Sequence, residues 1–159
     1  MAARRGASLV RLRAPGLSLR EQERELAELV LSTQVPVIAT SRVDLALACG
    51  ARGVHLVEGD IAIADARRLA PELLIGRSVH TAGDAQAAAA AGADYLVFGP
   101  IWSTPSHAET RGVGLDALRA IAVAVRPVPV LAVGGVDAPR AERVMRAGAA
   151  GWAAIRMYA

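Results

Sequence analysis

Short apolar runs recur along this chain, and four of them are introduced by one template. "RGASLVRL" at 5–12, "CGARGVHL" at 49–56, "AGADYLVF" at 91–98 and "AGAAGWAAI" at 147–155 each read small-Gly-Ala-x and then an apolar stretch. A glycine closing a helix takes the left-handed cap conformation, and a continuous run of four to six apolar residues suits a strand buried on both faces. Three further runs, Pro36–Ala39, Leu73–Ile75 and Val128–Ala132, follow a Pro or a loop and bring the candidate strands to seven. The gaps carry helical periodicity, clearest in Leu19–Ser32 with Leu26, Leu29 and Val30, in Leu115–Val125 with Leu118, Ile121 and Val125, and in Pro139–Ala147 with Val144 and Met145.

Strand and helix therefore alternate, which predicts an α/β fold with a parallel sheet. Recurrence at roughly twenty to thirty residues per unit favours a (β/α) barrel of the TIM type over an open doubly wound sheet. A full barrel has eight strands, and seven are visible here. "MAARRGAS" reads as the last turn of a helix and its cap, and the chain stops just after the last strand. The expectation is one domain over 1–159, an incomplete barrel lacking its first βα unit and last helix. Its open strand edges then call for cover, by a homo-oligomer or by another segment.

Composition narrows the class. Of 159 residues, 53% are hydrophobic and 3% aromatic, so the core is aliphatic and Ala-rich. All 18 basic residues are Arg, spread from Arg4 to Arg156 rather than clustered beside aromatics, which argues against nucleic acid as a partner. Cys49 is the single cysteine, so no intramolecular disulfide or Cys-based metal site is expected, and a reducing cytoplasm is the default location. The start has no long apolar segment, and the Ala-rich stretch 85–93 is too short to span a bilayer, so no membrane association is expected.

In a parallel barrel, function sits where strands end and helices begin. The residues there are Arg11 and Arg13, Thr40 and Ser41, Glu58 and Asp60, Ser78 and His80, the loop 99–111, Gly134-Gly135, and Arg156. The loop "GPIWSTPSHAETR" is the longest and is able to fold over a site. In "LAVGGVDAPRAERVMRAG", Gly134-Gly135 ends a strand, Asp137 can cap and Pro139 fits the first helical turn. Backbone N–H groups there suit a phosphate, although a Gly pair also makes a plain tight turn. Arg156 is a candidate fork for the same phosphate, or a cation reaching solvent near a chain end.

His55, inside "GVHLV", reads as a core or barrel-lining histidine, whereas His80 and His107 are the candidates for acid–base work. No two histidines have metal-ligand spacing on one helix. Asp60 with Glu58 offers carboxylate oxygens to Mg²⁺, but the facing strand end offers only Thr40-Ser41, which favours a solvated loop.

The segments "LVRLRAPGLS", "GVHLVEGD", "IGRSVHT", "ADYLVFGPIWSTPSH", "RGVGLDALRAIA" and "LAVGGVDAPRAERVMRAGAAGWAAI" together resemble the superfamily of thiamine phosphate synthases and thiazole (TenI-like) tautomerases. The resemblance implies that Thr104, Pro105 and Ser106 contact a thiazole phosphate, with a glycine contact from Gly134 or Gly135. It implies Arg13 and Ser78 at a pyrimidine pyrophosphate, with Asp60 as one of two magnesium aspartates. The departures are also specific. The synthase pattern has Gln-Leu-Arg-Glu-Lys where Arg11-Leu12-Arg13-Ala14-Pro15 stands, Asn-Asp at Thr40-Ser41, Lys at His107 and Val-Ser at Ile155-Arg156. The tautomerase pattern needs no Mg²⁺, but its histidine after the strand-six glycine is Pro100 here, so His107 or His80 must move the proton.

The resulting expectation ranks three roles on a small phosphorylated substrate. A tautomerase-like or divergent role in thiamine biosynthesis comes first, a working synthase second, and a non-catalytic ligand-binding or regulatory protein third. Mg²⁺ is required only in the synthase case.

Overall fold

A computed structural model describes residues 6–103 and 112–154. The chain divides into two compact units, one running to Gly76 and the other starting at Arg77.

The first unit holds β1 (Val10–Leu12), α1 (Leu19–Ser32), β2 (Val37–Thr40), α2 (Val43–Ala48), β3 (Gly53–Leu56) and α3 (Ile63–Leu69). β1, β2 and β3 are parallel neighbours in chain order, with Arg11 opposite Ile38 and Thr40 opposite His55. Every residue of β3 is buried, as expected of a strand covered on both faces. The approach of the next strand is close: a Cβ on Gly53 would lie 2.3 Å from the Leu74 carbonyl oxygen, so only glycine fits.

β4 (Leu74–Val79) contains the division between the units. The second unit continues with α4 (Ala82–Ala90), β5 (Tyr95–Phe98), α5 (Gly114–Ala124), β6 (Val130–Val133), α6 (Ala138–Arg146) and β7 (Gly151–Ala153). β5, β6 and β7 are again parallel neighbours in chain order. Leu118 and Ile121 of α5 and Val144 of α6 are their helices' buried anchors. The architecture is α/β, of the parallel (β/α) TIM-barrel type, with seven strands among the described residues against the eight of a complete barrel. None of the described helices is long and apolar enough to cross a membrane.

Helix ends follow the local chemistry. Ser18 caps α1 and Thr81 caps α4, each in a reciprocal box with the acidic residue three positions on, Glu21 and Asp84. The hydrogen bond from the cap hydroxyl is the main cause holding each carboxyl below its ordinary range. A depressed folded-state pKa stabilises at pH above the unfolded value, and that contribution is lost as pH falls through the folded one. Acid titration is therefore expected to loosen the starts of α1 and α4. Ser18→Ala should flatten the acid limb of a melting-temperature profile, and an unaltered limb would remove the α1 box from the account.

The structure also refines the expected strand ends. β4 runs four residues past the apolar core Leu73–Ile75, so Ser78 lies within it rather than after it. Arg11 lies inside β1 and Thr40 is the last residue of β2. In each case ladder hydrogen bonds continue through a polar side chain that breaks the apolar run.

Candidate functional site

Two groups of candidate residues gather at the carboxyl ends of strands, one in each unit. In the first unit, Arg13, Gln22, Thr40, Ser41, Arg42 and Val57 line a cleft of about 340 Å³. The Thr40 hydroxyl donates to the Leu12 carbonyl at 2.5 Å, tying the end of β2 to that of β1. Ser41 takes the left-handed conformation, with φ of 63°, and its N–H donates to the His55 carbonyl at 2.9 Å. For a residue with a side chain that conformation costs about 1–2 kcal/mol, which β3 counteracts by holding the amide.

The two guanidinium groups of the cleft differ. Arg42 donates through Nε to Asp44 Oδ1 at 2.8 Å, and its Nη2 meets Asp44 Oδ2. The bond to Arg42 is the largest cause holding the Asp44 carboxyl below its usual range. Arg13 is exposed and has no carboxylate partner among the described residues, so its charge is available to an anion. Arg11 is half-buried within β1.

Asp60 closes a turn. Its Oδ2 accepts from the Val57 N–H at 2.6 Å, and its own N–H donates to the Val57 carbonyl at 3.2 Å, around Gly59 at φ of +85°. The magnesium implied by the resemblance needs paired carboxylates. Here one Asp60 oxygen is committed to the backbone, Ser41 stands where the second aspartate belongs, and no group of three His, Cys, Asp or Glu among the described residues can hold a metal ion. These residues do not fit a two-carboxylate magnesium site. Asp60→Asn keeps an oxygen for Val57 and is expected to leave stability and turnover within about threefold. Asp60→Ala should lose about 1 kcal/mol with the bond. A hundredfold loss of turnover in Asp60→Asn would make Asp60 a metal ligand after all.

In the second unit, His80 follows β4 directly, and its Nδ1 lies 2.8 Å from the Gly99 carbonyl oxygen. A carbonyl only accepts, so this bond places the proton on Nδ1 and leaves the lone pair of a neutral ring on Nε2. Ser78 is half-buried within β4.

The segment after β5 is bound to the end of β6. Ile101 N–H donates to Val133 O at 2.8 Å and Trp102 N–H to Gly134 O at 3.1 Å. Gly134 and Gly135 both have positive φ, +91° and +68°. A Cβ on Gly134 would lie 2.5 Å from Pro100 Cα, so the turn and the β5 loop share space that only glycine leaves open. Both ends of the long loop are fixed here, because Val113 N–H donates to Pro100 O at 2.9 Å and Gly114 N–H to Ile101 O at 3.1 Å.

Asp137 caps α6, accepting from Arg140 N–H at 2.9 Å, and Pro139 stands in the first turn, both as the sequence suggests. That carboxylate occupies the start of the helix, so anion donors must come from the turn before it. Thr104, Pro105, Ser106, His107 and Arg156 lie outside the described residues.

Sequence reasoning missed two side chains beside this turn. Arg140 donates through Nη1 to Gly135 O at 2.8 Å and stacks on Trp102, its Cζ 5.0 Å from the ring centroid. Arg143 lies over the same ring at 5.6 Å. The available signal was an Arg one helical turn beyond the Gly pair.

A family profile described as thiamine monophosphate synthase matches residues 1–158. The thiamine-phosphate synthase of Chloroflexus aurantiacus is 42% identical over 154 residues, covering 94% of this chain and 71% of that protein. The thiamine-phosphate synthase of Gloeobacter violaceus is also 42% identical, over 155 residues that cover 95% of this chain and 45% of that one. Among solved structures, a thiamine phosphate pyrophosphorylase from Pyrococcus furiosus matches with a TM-score of 0.87 and 34% identity, over 97% of this chain and 75% of that chain. A 3-hexulose-6-phosphate synthase, at 21% identity and a TM-score of 0.75, shares the fold alone.

Proposed function

Because this chain belongs to the thiamine monophosphate synthase family, we propose that it joins hydroxymethylpyrimidine pyrophosphate to a thiazole phosphate and releases pyrophosphate. A tautomerase-like role ranked first on sequence alone. The synthase name borne by relatives at 42% identity favours the transferase instead.

The observation that carries this reading in the structure is the cleft of the first unit, where Arg13 stands without a carboxylate partner beside the Thr40 and Ser41 hydroxyls. In the displacement, the bond from carbon to the diphosphate oxygen breaks as the thiazole bonds to that carbon, and the electron pair leaves with pyrophosphate. A cation that meets this growing charge lowers the barrier more than it aids ground-state binding. Arg13 has that role, and the Ser41 hydroxyl donates to the same anion, while the Thr40 hydroxyl, bonded to Leu12 O, holds the strand end in place. The main-chain amides around Gly134 and Gly135 hold the thiazole phosphate, with Thr104, Pro105, Ser106 and Arg156 as further contacts. His80, with its lone pair on Nε2, and His107 are the proton carriers available if the substrate must be isomerised first.

The test is turnover of the purified chain with both substrates, with and without added Mg²⁺, following thiamine phosphate and pyrophosphate together. Equal formation of the two products is expected. Binding of thiazole phosphate with no joined product, accompanied by proton exchange on the thiazole carboxylate, would return the tautomerase reading to first place.

A further inference from the structure

We infer that Arg140 is a positioning residue that fixes the Gly134-Gly135 turn and so sets its affinity for a phosphate monoester, with Trp102 as the platform that holds the guanidinium in place. This rests on the reading that the turn receives the thiazole phosphate.

Two consecutive left-handed glycines form a turn with little intrinsic preference of its own. Its geometry must be imposed by neighbours, and three contacts impose it. Trp102 N–H takes the Gly134 carbonyl at 3.1 Å. Arg140 Nη1 takes the Gly135 carbonyl at 2.8 Å. The Trp102 Cβ closes the remaining side, 2.8 Å from where a Cβ of Gly135 would stand.

The second contact reaches the donors directly. In a trans peptide the carbonyl and the following N–H point in opposite directions, so a guanidinium that fixes the Gly135 oxygen also fixes the direction of the Val136 N–H. A cation on that oxygen further polarises the peptide and strengthens the N–H as a donor. Arg140 itself is half-buried, with its Cζ 5.0 Å from the Trp102 centroid and its Nε 3.9 Å from Asp137 Oδ2. Arg143 offers an internal control: it also stacks on Trp102, at 5.6 Å, yet no hydrogen bond of its side chain reaches the turn among the described residues.

The experiment compares Arg140→Ala, Arg140→Lys and Arg143→Ala by titration with thiazole phosphate and by hydrogen exchange at the Val136 amide. Arg140→Ala is expected to weaken binding at least tenfold and to speed exchange at Val136. Arg140→Lys, which keeps the charge but not the planar fork, should recover only part of both. Arg143→Ala should leave both within twofold. Equal losses in Arg140→Ala and Arg143→Ala would reduce Arg140 to general stacking and overturn the inference, as would no loss in either. If the unaltered chain does not bind thiazole phosphate, the reading of the site fails, and the Val136 exchange rates still decide whether Arg140 positions the turn.

Discussion

Gly134→Ala is expected to destabilise the protein by about 2–5 kcal/mol and to abolish thiazole phosphate binding. Two costs add at this position. A side chain at φ of +91° enters the left-handed region, which costs about 1–2 kcal/mol. The new methyl would also stand 2.5 Å from both Pro100 Cα and Pro100 Cβ, a contact the turn and the β5 loop relieve only by moving apart. That movement strains the bonds from Ile101 to Val133 and from Trp102 to Gly134, which hold the loop to the end of β6. Gly148 separates the two costs: its φ is +94°, but an added Cβ would meet nothing closer than Ala122 Cβ at 3.4 Å. Gly148→Ala should therefore show the backbone cost alone, about 1–2 kcal/mol. Urea unfolding of the two variants makes the comparison, and a Gly134→Ala no worse than Gly148→Ala would mean that the loop is not packed against the turn.

The repeats are what made the fold legible. Gly50, Gly92 and Gly148, each placed by the small-Gly-Ala template, do take positive φ, and each precedes a strand. α1 was legible end to end because Leu26, Leu29 and Val30 recur at helical spacing within Leu19–Ser32. α4 was not, since an Ala-rich helix has no apolar face distinct from its other sides; only the Thr81 and Asp84 cap marks it. The strand-end rule placed Arg13, Thr40 and Ser41 near chemistry, and they do share a cleft. It missed Gln22, which enters from α1, and Arg140, which reaches back from α6. Both lie within a helix, one turn beyond the loop whose carbonyl they reach, Gln22 at Leu17 and Arg140 at Gly135, so a rule that looks only at strand ends passes over them.

The same cleft separates two arginines that look alike in the sequence, and the larger effect is expected at Arg13. Truncating it to alanine removes a guanidinium whose charge no carboxylate among the described residues offsets. A hydrogen bond to a charged group contributes about 1.5–3 kcal/mol, so kcat/KM for the diphosphate substrate should fall roughly 10- to 150-fold. Because Arg13 is exposed, the loss should shrink as salt is raised, and Arg13→Lys should restore the charge without the two-pronged geometry. Arg42 and Asp44 form a pair of no net charge, so removing both together should leave kcat/KM within about threefold. Should Arg13→Ala fall by less than twofold at low salt while the double variant collapses, the anion is met by Arg42 and the assignment within this cleft is reversed.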